Sequence, residues 1–165
     1  MKGIILAAGK GSRIGLLTEQ TPKSMLELNK DHTLLSFNFM QLKNSGIDSI
    51  ILVTGYYSKK IEKYSLHLSK KYDISLEIVF NPFWDYCNVL GSFYMSLEKI
   101  EDDFIFLHGD TLMDIAVIEG IISSRSDVCL ALDFKACGEE EMKFWLDQDK
   151  ICRITKADIG REAQG

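Results

Sequence analysis

The sequence predicts an α/β protein whose mostly parallel sheet is covered by helices on both faces. One observation is an alternation along the chain, in which short apolar runs are followed by segments with apolar residues at helical spacing. A second is that the apolar runs are hydrophobic at consecutive positions, as in strands that are buried on both faces. Strands connected through helices pair in parallel, so both observations favour the same architecture.

Five apolar runs are predicted to be the strands of this sheet. They are Ile4–Ala8, Ile50–Val53, Leu76–Phe80, Phe104–Leu107 and Val128–Leu132. Each run is shorter than a typical helix, and a glycine closely follows the first two. Farther along, two apolar segments at 144–146 and 151–154 flank a polar stretch, which predicts a small β-hairpin in addition to the sheet.

Segments after the strands are predicted to be helices. Their apolar positions are Leu34, Leu35, Phe39 and Leu42; Ile61, Tyr64 and Leu68; Leu90, Tyr94 and Leu97; and Ile115, Ile118 and Ile122. Gly46 predicts the end of the first helix, and Ser58 is the expected N-cap of the second. The second helix also carries several lysines, which we interpret as a solvated face.

Composition and charge favour a globular domain over the other broad classes. The 165 residues are 46% apolar and 26% charged, with a formal net charge of −5, so we expect one soluble domain that spans residues 1–165. An acidic chain offers no broad basic face, and we therefore expect neither a nucleic acid nor a membrane as its partner. The apolar runs are too short to span a bilayer and no secretory leader opens the chain, which favours the cytoplasm.

The cysteines are not expected to form a metal site or a disulfide framework. Cys87, Cys129, Cys137 and Cys152 include no Cys-x-x-Cys pair, and no histidine lies near them at ligand spacing. We interpret them as buried or incidental thiols in a reducing compartment.

A glycine-rich segment after the first strand is the most informative part of the chain. It runs from Gly9 through Gly11 to Lys23, and its small residues let backbone N–H groups approach an anion closely. Lys10, Arg13 and Lys23 place three positive charges in this segment against a single acid. The segment therefore predicts a phosphate-binding loop.

Two familiar phosphate-binding motifs do not match this loop. The dinucleotide fingerprint needs a third glycine three residues after Gly11, where this chain has Ile14. The Walker motif needs Gly-Lys-Ser/Thr at its end, and the order Gly9-Lys10-Gly11-Ser12 does not provide it. Neither class of nucleotide-binding protein is therefore predicted.

The loop resembles the signature of nucleotidyltransferases that activate phosphorylated sugars and small alcohols. The matching residues are Leu6-Ala7-Ala8-Gly9-x-Gly11-x-Arg13 and Thr21-Pro22-Lys23. The resemblance implies a Rossmann-like nucleotidyltransferase fold with Arg13 and Lys23 as catalytic cations. It also implies a nucleotide-binding role for Leu6, Ala7, Ala8, Gly9, Lys10, Gly11 and Ser12. Such enzymes join the α-phosphorus of a nucleoside triphosphate to a phosphate or phosphonate oxygen and release pyrophosphate.

A second segment, after the third strand, resembles small-molecule cytidylyltransferases that handle phosphocholine, phosphoinositol or aminoethylphosphonate. It contains Asn81, Asn88, Gly91 and Ser92, for which the resemblance implies nucleotide binding and favours CTP. Side-chain amides offer both a donor and an acceptor to a pyrimidine edge. Two alternatives stay open, namely an ordinary turn at Asn81 beside core aromatics, or a cation–π wall that contains Trp84 and receives a choline-like head group.

Asp110, at the end of the fourth strand, is the candidate Mg²⁺ ligand. A carboxylate suits this ion, and the phosphates of the substrate would complete its coordination shell. A turn or helix cap is the alternative role of Asp110, and Asp114 competes for the metal although it is better suited to open the next helix. The resemblance implies a second acidic ligand nearer the C-terminus, which we do not find. It also points to Lys156 as a contact for the acceptor phosphate, although Thr155 and Ala157 depart from the family's pattern.

The function that we predict is Mg²⁺-dependent transfer of a nucleoside monophosphate, with CTP favoured as its source, to a small phosphorylated or phosphonate metabolite. A sugar-1-phosphate nucleotidyltransferase that uses UTP, dTTP or GTP is one alternative, and a nucleotide-binding regulatory subunit without turnover is another. The expected partners are the triphosphate and the acceptor, and a second copy of the chain is a further candidate partner, in a homodimer. Members of the family that this chain resembles are generally longer, so part of the acceptor site is expected to be missing.

Overall fold

The computed structural model describes residues 1–11, 15, 18, 20–135, 137–138, 141–148 and 150–156. The chain divides into two compact units, Met1–Ser124 and Arg125–Gly165. The first unit contains a sheet and the glycine-rich loop, and the second contains a hairpin. No helix in the described part of the chain is long and apolar enough to cross a bilayer.

The first unit is built on a four-stranded parallel sheet, which confirms the predicted fold class. Its strands are β1 (Lys2–Ala7), β2 (Ser49–Thr54), β3 (Ser75–Phe80) and β4 (Phe104–His108). Their order across the sheet is β3-β2-β1-β4, and every neighbouring pair is parallel. The chain adds two strands on one side of β1 before it crosses to the other side. The strand order therefore reverses between β1 and β4, where the carboxyl ends of such sheets bind ligands.

Helices follow each of these strands. They are α1 (Leu34–Asn44), α2 (Ser58–Tyr72), α3 (Val89–Tyr94) and α4 (Ile115–Ser123). Thr33 and Ser36 form a capping box at the start of α1, and the helix ends just before Gly46, as predicted. The prediction for Ser58 was wrong by one residue, because Ser58 is the first residue of α2 and the N-cap is Tyr57, whose φ is 53°.

Apolar side chains pack on both faces of the sheet, which explains why the strands are hydrophobic at consecutive positions. Ile5 of β1 belongs to one buried cluster and its neighbour Ile4 belongs to another. The first cluster contains Phe39, Ile61 and Ile118, and the second has Trp84, Phe93 and Phe106 packed against it. Helices α1, α2 and α4 therefore cover one face, and α3 with the loop before it covers the other.

The short helix α3 buries a different face from the one that its apolar spacing predicts. Leu90 and Tyr94 are 70% and 69% exposed, and the exposed Leu97 lies beyond α3 in a 3₁₀ turn. The buried positions are Ser92 of α3 and Ser96, which follows the helix. Serine side chains are small enough for α3 to pack closely against β1.

The fifth predicted strand, Val128–Leu132, is not a strand. Val128 and Leu130 are 79% and 46% exposed. A strand needs a neighbour for its backbone N–H and C=O groups, and among the described residues the parallel sheet ends at β4. The predicted hairpin is confirmed in the second unit, where β5 (Lys143–Asp147) pairs antiparallel with β6 (Lys150–Thr155).

Candidate functional site

A cavity of about 320 Å³ lies at the carboxyl ends of β1 and β4, beside the reversal of strand order. It is lined by Leu6, Ala7, Ala8, Gly9, Gly11, Lys23, Ser24, Trp84, Cys87, Asn88, Val89, Ser92, His108, Gly109 and Asp110. These residues come from the end of β1, the glycine-rich loop, the segment after β3 and the end of β4. The fold thus brings the three predicted motifs to one place.

Most of the site residues that the sequence predicts line this cavity. They are Leu6, Ala7, Ala8, Gly9, Gly11, Lys23, Asn88, Ser92 and Asp110. Lys10, Asn81 and Gly91 belong to the same unit and do not line it. Ser12 and Arg13 lie outside the described residues, and Lys156 belongs to the second unit.

The glycine-rich loop is held against the lysine that follows it. Gly11 has a φ of +70°, and a Cβ at this position would lie 3.1 Å from the Cβ of Lys23. The buried Thr18 donates a hydrogen bond from its Oγ1 to the carbonyl oxygens of Gly11 and Gly15, each at 3.1 Å. Because only glycine adopts this conformation at low cost, Gly11 lets the loop close on the stem of Lys23.

Lys23 and Asp110 form an ion pair at the cavity. Their Nζ and Oδ2 atoms are 2.5 Å apart, and the two side chains are 33% and 36% exposed. Lys23 opens a 3₁₀ turn after Pro22, and the backbone N–H of Gly109 donates to the Leu6 carbonyl at 2.8 Å, which ties the segment before Asp110 to β1. The two charges are therefore held together at the wall of the cavity, each partly exposed to solvent.

Among the described residues that line the cavity, Asp110 is the one carboxylate. In the part of the chain that the structure describes, no group of three or more His, Cys, Asp or Glu residues could hold one. A resident metal cage among these residues is therefore not supported. A single carboxylate at the wall of this cavity fits Mg²⁺, which usually keeps several waters and takes one or two carboxylates plus substrate phosphates.

Asp114 acts as a helix cap, and we expect its replacement to change stability. Its Oδ1 accepts a hydrogen bond from the backbone N–H of Ala116 at 2.9 Å, at the start of α4. Loss of such a cap costs about 1 kcal/mol, so Asp114→Ala should lower the free energy of unfolding by that amount. Urea denaturation checks this value. An unchanged unfolding free energy would contradict the assignment of Asp114 as a cap.

Asn81 lies beneath the cavity and is completely buried. Its Oδ1 accepts a hydrogen bond from the backbone N–H of Phe83 at 2.8 Å. Its Nδ2 donates to Cys87 Sγ and to Ser92 Oγ, both at 3.0 Å. The amide is thus engaged by the protein, and its two acceptors, Cys87 and Ser92, line the cavity in its place.

Asn88 and Gly91 shape the start of α3. Asn88 is the N-cap of this helix, and its Oδ1 accepts hydrogen bonds from the backbone N–H groups of Leu90 and Gly91 at 3.0 and 3.3 Å. A Cβ at Gly91 would lie 2.6 Å from the Cβ of Cys87. The space at Gly91 is therefore filled by Cys87, which brings the thiol against the helix.

Several residues of the cavity were not predicted from the sequence, namely Ser24, Cys87, Val89 and His108. His108 directly precedes Gly109-Asp110, and Cys87 directly precedes Asn88. Both residues could have been predicted from their position next to a motif residue at the end of a strand or the start of a helix. The sequence alone predicts Cys87 to be a buried or incidental thiol, whereas in the structure it is half-buried and lines the cavity.

The two remaining predicted lysines have other surroundings. The exposed Lys10 places its Nζ 5.9 Å from the centroid of the Tyr56 ring, and Tyr56 packs against Trp84 at a centroid distance of 5.2 Å. Lys156, which follows β6, accepts a hydrogen bond on its carbonyl oxygen from Lys143 Nζ at 3.2 Å. A role for either ammonium group in substrate binding stays a prediction.

The fold and the cavity together define a class of protein. A parallel sheet with a glycine-rich loop, a lysine and a carboxylate at its switch point is typical of nucleotide-binding α/β proteins. Within this class, the chain belongs to the nucleotidyl transferase family, whose family pattern matches residues 2–127.

Known proteins that are similar to this chain include enzymes whose names refer to transfer from different nucleotides. CTP:phosphoglutamine cytidylyltransferase of Campylobacter jejuni is 30% identical over 83% of this chain and 54% of its own length. D-glycero-alpha-D-manno-heptose 1-phosphate guanylyltransferase of the same organism is 31% identical over 80% of this chain and 57% of its own. The solved CTP:phosphocholine cytidylyltransferase of Streptococcus pneumoniae superposes with a TM-score of 0.68 at 30% identity, over 93% of this chain and 63% of that one. The chain spans about half the length of the curated relatives that it matches.

Proposed function

We propose that this chain forms the nucleotide site of a Mg²⁺-dependent nucleotidyltransferase that acts on CTP. The reaction would join the α-phosphorus to an oxygen of a small phosphorylated or phosphonate metabolite and release pyrophosphate. The observation that carries this proposal is the Lys23–Asp110 pair beside the glycine-rich loop, at the switch point of a parallel sheet. This arrangement offers a cation, a carboxylate and open backbone to a triphosphate at one place.

The chemistry needs charge neutralisation more than it needs a protein nucleophile. A phosphate monoester loses its second proton near pH 6, so the acceptor is already an anion at neutral pH. The two substrates repel each other, and the protein has to hold them in line while negative charge redistributes. In our proposal Lys23 contacts the α-phosphate, and Gly9 and Gly11 leave the backbone open to the other phosphates. Arg13 takes the role that its sequence motif implies, as a fork of donors to phosphate oxygens.

The ion pair between Lys23 and Asp110 is weak enough for Lys23 to bind a phosphate instead. Each side chain is about one third exposed, and ion pairs of this kind contribute only about 0–1 kcal/mol. A triphosphate carries several negative charges and can replace the carboxylate as the partner of Lys23. Asp110 is then free to take a cation of its own.

Asp110 would hold Mg²⁺ together with phosphate oxygens of the nucleotide. When bound, the ion neutralises phosphate charge and polarises the phosphorus centre. The chain's own contribution is the fixed position of Asp110, which follows from the backbone hydrogen bond between Gly109 and Leu6. A site that supplies one carboxylate suits an ion that arrives bound to the phosphates of the nucleotide.

The choice of CTP is supported by two similar proteins whose names contain CTP. Transfer from GTP or UTP to a sugar 1-phosphate is the alternative. It is supported by the similarity of this chain to a heptose 1-phosphate guanylyltransferase. A regulatory subunit that binds a nucleotide without turnover is a third interpretation of the same cavity. The choice of nucleobase is tested directly by comparing the triphosphates.

Pyrophosphate release is the measurement that tests the proposed function. The chain is incubated with Mg²⁺ and each of CTP, UTP, GTP and dTTP, with phosphocholine, 2-aminoethylphosphonate or glucose 1-phosphate as acceptor. We expect acceptor-dependent release with CTP. Release with a sugar phosphate and another triphosphate would establish the alternative enzyme. Nucleotide binding without release under every condition would contradict catalysis by this chain and favour the regulatory interpretation.

A further inference from the structure

We propose that Asn81 orients a pair of hydrogen-bond donors, Ser92 and Cys87, which select a pyrimidine with two adjacent acceptors. Cytosine has this arrangement at O2 and N3. The inference rests on the proposed function, because it assigns the nucleobase subsite of the same cavity. In it, Asn81 is a positioning residue that acts through Ser92 and Cys87 without touching the base.

The orientation of the Asn81 amide is determined by the backbone. Its oxygen accepts a hydrogen bond from the backbone N–H of Phe83 at 2.8 Å. In the flipped amide the NH₂ group would face this N–H, and two donors would then oppose each other. The NH₂ group must therefore face Cys87 and Ser92. It has two hydrogens, and the two distances of 3.0 Å use both. Because Asn81 is completely buried, these bonds are shielded from bulk solvent.

Both residues above the amide are left with a hydrogen to donate. Ser92 Oγ and Cys87 Sγ each accept a hydrogen bond from Asn81, so the hydroxyl and thiol hydrogens point away from it. The Oγ and Sγ atoms are 4.0 Å apart, at the outer limit for a hydrogen bond to sulfur, and either atom could be its donor. A contact this long is weak and yields to a closer acceptor. A group that accepts a hydrogen bond also becomes a better donor. The cavity wall at this point therefore presents donors to whatever enters.

The surroundings of this pair suit a flat base better than a phosphate. Trp84 and Val89 line the same cavity and carry no charge, whereas the cationic Lys23 comes from a different segment. The Trp84 indole packs against Tyr56 at 5.2 Å and offers a rigid aromatic surface for stacking. The uncharged segment after β3 is thus equipped to hold the base, and the glycine-rich loop to hold the phosphates.

Two adjacent donors distinguish cytosine from the other pyrimidines. Cytosine offers acceptors at both O2 and N3. Uracil and thymine carry a hydrogen on N3, which would face a donor and leave it unpaired. A site built to pair polar groups rejects a ligand that leaves them unpaired, because each such group costs about 1–3 kcal/mol. The pair should therefore favour CTP over UTP by about tenfold or more.

Asn81→Asp reverses the donor direction with almost no change of shape. One carboxylate oxygen keeps the bond from Phe83, and the other accepts hydrogens from Ser92 and Cys87. The lone pairs of these two residues then face the cavity, which suits the N3 hydrogen of uracil. Dissociation constants for CTP and UTP are measured by calorimetry with Mg²⁺ on the intact chain. We expect the CTP preference to fall by about tenfold, with UTP affinity rising.

Ser92→Ala and Ser96→Ala form a matched pair for the same measurement. Ser92 lines the cavity, whereas Ser96 is completely buried one turn later and its Oγ donates to the Phe93 carbonyl at 2.6 Å. Ser92→Ala should lower CTP affinity by about tenfold and change UTP affinity less. Ser96→Ala should leave the ratio of the two affinities unchanged.

The outcomes separate this inference from the proposed function. A wild-type chain that binds no triphosphate would overturn both. A wild-type preference for UTP, or an unchanged ratio in Ser92→Ala, would overturn the donor pair and leave nucleotidyl transfer standing. If Asn81→Asp does not fold, Ser92→Ala with its Ser96 control decides alone. A reduced CTP preference in Ser92→Ala and not in Ser96→Ala would support the inference.

Discussion

Replacing Lys23 with alanine is expected to lower kcat/KM for pyrophosphate release by about 10²–10³-fold. In our proposal the ammonium group contacts the α-phosphate, where negative charge shifts during transfer. Removing it takes away a preorganised cation, and water in the enlarged cavity does not replace a fixed positive charge. The affinity for CTP without Mg²⁺ should also fall, because the lysine attracts the triphosphate before the chemical step.

Lys43→Ala is the control for this variant. Lys43 is exposed to a similar degree, 31% against 33% for Lys23, and it also pairs with an aspartate, Asp48, at 2.7 Å. Its Nζ additionally donates to the Asp73 carbonyl at 2.9 Å, and it does not line the cavity. Turnover by Lys43→Ala should match that of the wild type. Equal turnover in Lys23→Ala and Lys43→Ala would contradict the role of Lys23.

Asp110→Asn is expected to lower Mg²⁺-dependent turnover by about 10²-fold or more. The amide keeps the size of the side chain but removes the charge that would attract the ion. Asp110→Asn and Lys23→Ala should differ when no metal is present. The neutral amide in Asp110→Asn does not compete with phosphates for the Lys23 ammonium, so metal-free CTP affinity should stay the same or rise. Calorimetry with and without Mg²⁺ measures this difference.

Asp114→Ala is the control for Asp110→Asn. Asp114 lies four residues later and caps α4, so its loss should reduce stability and leave the Mg²⁺ dependence unchanged. An Asp110→Asn variant that retains the wild-type Mg²⁺ dependence would remove Asp110 from the proposed metal site. The same loss in both variants would indicate a general effect on folding, which the unfolding free energies would reveal.

The parallel sheet was predictable because its strands are buried on both faces. Ile4 and Ile5 enter different clusters on opposite sides of β1, and this double burial leaves an unbroken apolar run in the sequence. The hairpin β5–β6 was predictable for a different reason, since two apolar segments flank a short polar turn. Local composition was sufficient in both cases.

The fifth strand and the buried face of α3 were not predictable from local pattern. Val128–Leu132 has the composition of a buried strand, yet the structure leaves Val128 79% exposed. Whether an apolar run becomes a strand depends on an available neighbour, which composition does not report. Ser92 of α3 and Ser96, which follows the helix, are buried, and Leu90 is exposed, because the close approach of a short helix to the sheet favours small residues over large ones.

The sequence by itself determined the fold class, the position of the glycine-rich loop and the edge of the sheet where the motifs would meet. Each of these follows from short-range features such as apolar runs, glycines and charges directly after strands. Only the tertiary structure decided which groups face the cavity. It placed Lys23 against Asp110, buried Asn81 beneath Cys87 and Ser92, and added His108 to the lining. The physical reason is that hydrogen-bond direction and ion pairing depend on distances of about 3 Å between residues far apart in the chain, and spacing along the sequence does not contain those distances.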